Sequence, residues 1–247
     1  MSKIYLNNYF NTNLYKKKST RSEIMTEMIY GDGFSIIKKA KSWIKIKIIN
    51  DGYIGYIKKR SFYNYEKPTH KVSVLSAKIY KSPSYKNVKG KLTFGSKIKS
   101  RKKFKNFIKF NKGWISNDCV RPFKIKSKNF FSQIKIFKNI KYKWGGKTSK
   151  GIDCSGLVQV FLNFNNKYCP RDAKDQVKYF KKNINLNKIK KNDLIFWKGH
   201  VAIVLSKKKL IHAYGPMKKV VVMDINKTIK RIKETANLKV TKIKRIV

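Results

Sequence analysis

One cysteine and two histidines carry most of the chemical potential of this chain. Cys154 sits in Gly151-Ile152-Asp153-Cys154-Ser155-Gly156, where a helical pattern begins. Asp153 or Cys154 is then close to the helix N-cap. A thiol there faces unpaired backbone N–H groups and the positive end of the helix dipole, and both favour the nucleophilic thiolate. The neighbouring Asp153 opposes ionisation, so a nearby imidazolium is required. The competing reading of Cys154 is a buried structural cysteine, and Cys119 and Cys169 keep that reading. His200 opens the run His200-Val201-Ala202-Ile203-Val204-Leu205, and His212 lies in Leu210-Ile211-His212-Ala213-Tyr214, with Ser206-Lys207-Lys208 as the turn. If Leu205 pairs with Lys209, His212 falls opposite Ala202 and diagonal to His200, within roughly 8 Å on one face. One imidazole oriented by another, with a thiol nearby, has the logic of nucleophilic catalysis. The competing reading is two ordinary strand histidines. His70, beside a module boundary, is expected to face solvent.

The elements that must position these residues follow from periodicity. Phe130, Ile134 and Phe137 recur at helical spacing, and from Cys154 the residues Leu157, Val160, Phe161 and Phe164 share one helical face. From Asp193 the chain reads as successive strands, so residues 123–247 are expected to be α+β, helices first and an antiparallel sheet after. Upstream, Ser42–Ile48 alternates with period two, Asp51-Gly52 signals a hairpin, and Tyr53–Ile57 reads as the return strand. Val72, Val74, Ile79 and Tyr80 lie in strand-like runs, Gly95–Ile98 begins another, and Phe107–Ile115 resembles a closing hairpin. These patterns suit two small β-barrels at 1–66 and 70–122, with boundaries at Glu66–Thr69 and Arg121-Pro122.

The chain has 247 residues, 61 Lys+Arg against 12 Asp+Glu, and a formal charge of +49. The lysines are spread through every segment together with Ile, Asn, Tyr and Phe, a set that shares A/T-rich codons. Compositional bias therefore accounts for the charge, with polyanion binding as the alternative reading; no nucleic-acid partner is expected. The three cysteines form neither a disulfide framework nor a zinc pattern, and no metal or organic cofactor is implied. No apolar run is long enough to insert in a membrane. The opening MSKIYLNNYFNTN lacks the apolar region and cleavage site of a signal peptide, which gives the expectation of a cytoplasmic chain with reduced thiols.

Tyr142-Lys143-Trp144-Gly145-Gly146 followed by Gly151–Leu157 resembles the YxWGG…GxDCSGL signature of the NlpC/P60 cysteine peptidases. The later pieces arrive in the family's order. Pro170-Arg171-Asp172-Ala173…Gln176 resembles PRDxxxQ, Asn192–Phe196 resembles GDLxFF, Gly199–Val204 resembles GHVGIV, and Leu210–Ala213 resembles the strand with the second histidine. The resemblance spans about 129–225. Thr26–Asp32, Trp43 and Asp51–Tyr56 are similar to the SH3-like domains that precede γ-D-glutamyl-L-diamino-acid endopeptidases. Three positions depart from the pattern: Asn192 and Ala202 stand where Gly is common, with Ala202 expected to tighten the pocket, and Ala173 lacks a hydroxyl used by some members.

The resemblance implies a papain-like catalytic domain behind two SH3-like barrels. It implies Cys154 as nucleophile, His200 as base and His212 as the orienting residue. Oxyanion and substrate contacts are implied for Tyr142, Trp144, Asp153, Ser155, Arg171 and Asp172, with aromatic packing as the alternative for Tyr142. Related enzymes require a free N-terminal L-Ala, which calls for an anionic cap. Asp153, Glu23 and Tyr53 are the candidates, with N-capping, solvent exposure and barrel packing as their respective alternatives. The expected activity is hydrolysis of the γ-D-glutamyl–diamino-acid bond in murein-derived peptides during recycling. The rival classes are a cell-wall binding protein using its SH3-like modules, an acyl transferase, and a nucleic-acid binder.

Overall fold

Alternation at the N-terminus is realised strand by strand. In Trp43–Ile48, Ile44, Ile46 and Ile48 are buried while Lys47 is exposed. The computed structural model describes residues 3–246. β1 (Ile4–Leu6), β2 (Asn11–Tyr15), β3 (Ile24–Ile29), β4 (Gly33–Ala40), β5 (Trp43–Ile48), β6 (Ile54–Lys58) and β7 (Tyr63–Asn64) make one sheet in the order β3-β2-β6-β5-β4-β1-β7. Its core is Leu14, Met28, Phe34, Ile44, Ile46, Ile48 and Ile57. Gly52 takes φ +73° in the β5–β6 turn, which an L side chain resists.

The next strands are β8 (His70–Val72), β9 (Ser76–Tyr80), β10 (Val88–Thr93), β11 (Lys97–Ile98), β12 (Lys102–Phe104), β13 (Phe107–Phe110), β14 (Gly113–Ser116) and β15 (Val120–Pro122). They form two sheets, β10-β9-β14-β13-β12 and β11-β8-β15, over a separate core that includes Val72, Ile79, Leu92, Ile108 and Ile115. The boundary expected at 66–69 thus parts two cores, but both belong to one compact unit that runs to Lys126 and includes Lys147–Ser149. Tyr30 explains the merger: it joins the second core and meets Phe110 edge-on at 5.7 Å. Beside it, Asp32 pairs with Lys97 at 2.9 Å, both side chains nearly buried. Burial alone would raise the Asp32 carboxyl, but Lys97 and Lys147 hold it below the usual carboxylate range. The strand β16 (Lys147–Thr148) lies against β3, and Lys147 N–H donates to buried Glu27 Oε2 at 2.9 Å.

Two expectations need correction here. The division expected at Arg121-Pro122 falls a few residues later, between Lys126 and Ser127, because Arg121 and Pro122 still belong to β15, where Arg121 pairs with Lys71 and Pro122 with His70. His70 is partly buried rather than solvent-facing, because β8 is the middle strand of its sheet; its Nδ1 lies 2.9 Å from Thr69 Oγ1.

The second unit comprises Ser127–Gly146 and the chain from Lys150 onward. The helix expected around Phe130, Ile134 and Phe137 is instead a 3-10 turn over Ile134–Phe137. Its bonds join residues i and i+3, Lys138 caps it, and Asn139 follows at φ +68°. Phe131, rather than Phe130, joins Phe137 against Phe161. After β17 (Gly151–Ile152) come α1 (Cys154–Phe164) and α2 (Ala173–Tyr179). The strands β18 (Leu194–Trp197), β19 (His200–Val204), β20 (Lys209–Tyr214), β21 (Lys219–Asp224) and β22 (Lys242–Lys244) then form the antiparallel sheet β21-β20-β19-β18-β22, with α3 (Ile225–Ala236) following β21. α1 packs against β19 and β20, which brings the cysteine's helix to the histidines' strands. Among the described residues no helix is long and apolar enough to cross a membrane.

Candidate active site

Asp153 begins the site. Its backbone is extended, and its Oδ1 accepts the Gly156 N–H at 2.7 Å, so it is the N-cap of α1. Oδ2 accepts the Gly145 N–H at 2.8 Å. Arg171 adds a fork: Nη1 lies 2.9 Å from Oδ1 and Nη2 2.6 Å from Oδ2. Ser155 Oγ accepts from Arg171 Nη1 at 2.9 Å and donates to Asp153 Oδ1 at 3.3 Å. All three residues are buried. The close packing needs glycine: a Cβ on Gly156 would stand 2.6 Å from Gly146 O and 2.9 Å from Asp153 Oδ1. Asp153, Ser155 and Arg171 therefore hold the nucleophile's turn together. The capping role read as the alternative for Asp153 is thus realised.

Cys154 is the first residue of α1, and its thiol is buried. Burial pushes the thiol up to about 12, with Asp153 adding to the rise; the Val201 and Ser155 N–H groups and Arg171 act the other way without overcoming it. The dipole argument thus loses to desolvation, and the resting sulfur is a neutral thiol. Val201 is the residue after His200, so the N–H bonded to the sulfur marks His200 as its strand neighbour.

The register joins Ile203 with Ile211 and Val204 with Leu210, and Leu205 N–H donates to Lys209 O at 2.8 Å. His200 Nε2 then lies 2.8 Å from His212 Nδ1. Burial lowers the His200 imidazole to about 4, and burial followed by the His200 charge holds His212 well below its usual value. Both rings are neutral at physiological pH. A neutral imidazole on the residue that precedes the sulfur's N–H partner is suited to take the proton as sulfur attacks, rather than to store an ion pair.

Tyr142 is partly buried, with its N–H on Lys218 O at 2.8 Å and its ring beside Gly215, where a Cβ would stand 3.8 Å from Cζ. Burial and then the charges of Cys154 and Asp153 raise its phenol, which remains a protonated donor near the sulfur. Trp144 is 61% exposed. Asp172 precedes α2, its carbonyl accepting from Asp175 and Gln176 N–H groups, and Ala173 is the buried first residue of that helix. Glu23 and Tyr53 belong to the first unit: Glu23 pairs with Lys16 at 3.2 Å, and Tyr53 packs against the first core with its N–H on Asp51 Oδ1. Asn192 takes φ +75°, which explains a preference for Gly there and why Asn is accommodated. Ala202 is buried in the sheet's core cluster with Trp197, Val204 and Tyr214.

Two supporting residues were not given roles by sequence reasoning. Gln176 Nε2 donates to Ser155 O and Pro170 O, both at 2.9 Å, tying α2 to the start of α1; its place in the PRDxxxQ run was the available signal. Met223 Sδ lies 3.4 Å from His212 Nε2, and no motif pointed to it.

A thiol at the N-terminus of a helix packed on an antiparallel sheet that carries a hydrogen-bonded histidine pair is an arrangement suited to cysteine-dependent hydrolysis. A model of the NlpC/P60 family matches residues 139–237, and one of the bacterial dipeptidyl-peptidase Sh3 domain matches 14–62. The chain thus carries an NlpC/P60 cysteine peptidase domain and, ahead of it, an SH3-like domain. It is 40% identical over 72 residues to dipeptidyl-peptidase 6 of Lysinibacillus sphaericus, a match spanning 29% of this chain and 27% of that protein. It is 26% identical over 239 residues to gamma-D-glutamyl-L-lysine dipeptidyl-peptidase of Bacillus subtilis (strain 168), spanning 85% of this chain and 79% of the relative. A solved NlpC/P60 family protein from Bacillus cereus ATCC 10987 shares the fold, with a TM-score of 0.84 at 16% identity over 98% of this chain and 99% of that one.

Proposed function

We propose that the protein hydrolyses the γ-D-glutamyl–diamino-acid bond of murein-derived peptides carrying a free N-terminal L-Ala. The observation that carries this reading is the similarity to gamma-D-glutamyl-L-lysine dipeptidyl-peptidase along 85% of the chain, through the β-modules as well as the catalytic domain. On this reading residues 70–122 are a second SH3-like barrel, and the enzyme recycles wall peptides in the cytoplasm.

The chemistry follows from the site. Cys154 Sγ attacks the γ-carbonyl carbon while His200 takes the thiol proton. The tetrahedral oxyanion is met by the Cys154 N–H, which has no acceptor within its own helix, and by the Tyr142 hydroxyl. His200 then delivers its proton to the amine as the C–N bond breaks, leaving a thioester. Water, deprotonated by His200, releases L-Ala-D-Glu and restores the thiol. The test is incubation with L-Ala-γ-D-Glu-L-Lys, its diaminopimelate counterpart and their N-acetylated forms, read by mass spectrometry. Release of the dipeptide from the free-amine forms is expected. Equal turnover of the N-acetylated forms rules out amine recognition, and no turnover of any form rules out the substrate class.

A further inference from the structure

His212 has partners on both ring nitrogens. Nδ1 faces His200 Nε2 at 2.8 Å, and Nε2 faces Met223 Sδ at 3.4 Å. The strand register makes this second contact: Val221 lies opposite His212, and Met223, two residues along β21, is its diagonal neighbour on the same face.

A thioether sulfur has lone pairs and no proton, so it can only accept. Attraction at His212 Nε2 therefore requires the proton on that nitrogen. A neutral imidazole carries one N–H, so Nδ1 of His212 presents its lone pair to His200. His200 must then donate from Nε2, and its own lone pair lies on Nδ1. The opposite arrangement would place a lone pair of His212 against the sulfur and a proton on His200 Nδ1, where it could accept nothing from a thiol.

We propose that Met223 is a positioning residue: by accepting the His212 Nε2–H it sets the tautomer of both imidazoles and leaves His200 Nδ1 as the acceptor of the Cys154 proton. The proposal rests on the peptidase reading for its kinetic consequence but not for its spectroscopic one. It also distinguishes Met223 from a core filler, a role in which any apolar side chain of its size would serve.

The experiment compares the wild type with Met223→Leu, which keeps the bulk and removes the acceptor, and Met223→Gln, which supplies an oxygen acceptor. In the free, 15N-histidine-labelled enzyme, two-bond 1H–15N spectra separate Nε2–H from Nδ1–H rings. The wild type should show both histidines as Nε2–H. Met223→Leu should show a mixture at His212 and lower kcat by about 2- to 10-fold, the range of one net hydrogen bond, with KM little changed. Met223→Gln should recover the Nε2–H spectrum and most of kcat. Wild-type rings and wild-type kcat in Met223→Leu would overturn the proposal. So would a loss of kcat that Gln fails to recover while the rings stay Nε2–H, since that reports packing alone. An enzyme inert on every γ-D-glutamyl peptide sinks the substrate reading, and the ring spectra then judge Met223 by themselves.

Discussion

Arg171 grips Asp153 through both guanidinium nitrogens, at 2.9 and 2.6 Å, across 18 residues of chain. The pair is buried, and the carboxylate it holds also caps the helix that begins at Cys154. The same carboxylate accepts the Gly145 N–H, so a single anion ties the Gly145-Gly146 turn, the start of α1 and the segment before α2 together. A bidentate Arg–carboxylate pair fixes orientation as well as distance. The sulfur's place is thus set from beneath.

Arg171→Gln should leave the Asp153 charge buried and uncompensated. Urea unfolding should register a loss of about 3–5 kcal/mol. Arg171→Lys keeps the charge without the fork and should fall between the two. An Arg171→Gln protein as stable as the wild type would remove the pair from this role.

Cys154→Ala should abolish peptide hydrolysis and leave the fold intact. Free Cys154 should nevertheless react slowly with iodoacetamide near pH 7, since burial pushes its thiol up to about 12 and thiolate controls the rate. Its labelling rate should climb steadily with pH above neutrality. A plateau reached below pH 7, read by peptide mapping, would mean a thiolate–imidazolium pair at rest.

His200→Ala removes the base and should cost about 10²–10⁴ in kcat. His212→Gln keeps an oxygen to receive the His200 Nε2–H and an amide N–H to offer Met223, and should cost much less. Equal losses in the two variants would place His212 in the proton transfer itself.

The histidine pair also makes folding acid-sensitive. His200 is lowered to about 4 in the folded protein against an ordinary 6.5 when unfolded. Between those values the unfolded chain binds a proton that the folded chain refuses. Stability is therefore complete above about pH 6.5 and falls as the pH drops toward 4, by roughly 2–3 kcal/mol from His200, with His212 adding in the same direction. Denaturant midpoints between pH 4 and 8 should show this slope, and a His200→Gln/His212→Gln variant should flatten it.

The catalytic geometry was legible in the sequence wherever local rules apply. Period-two alternation and a three-residue turn set the Leu205–Lys209 pairing, and from it the histidine contact followed. The start of α1 was readable because Asp153 is a strong N-cap ahead of a helical stripe. What failed was non-local. The thiol's ionisation depended on burial, which spacing does not report. The destination of Arg171 depended on a contact across 18 residues. The Phe130–Phe137 repeat had helical spacing, yet its 3-10 turn is set by packing against Phe161. Tyr30 crossing into the second core joins the two β-modules into one compact unit, a contact that composition does not report.

Of the 12 acidic residues, Glu27, Asp32, Asp153 and Asp193 are buried, and the last three pair with Lys97, Arg171 and Arg245. Few anions are left outside to offset a formal charge of +49. The exterior is then a shell of mutual repulsion around pairs whose carboxylates are buried. Moderate sodium chloride should relax that repulsion, whose reach is about 10 Å at 0.1 M, and leave the internal pairs unweakened. Folding should accordingly strengthen with ionic strength, the reverse of a protein held together by surface ion pairs.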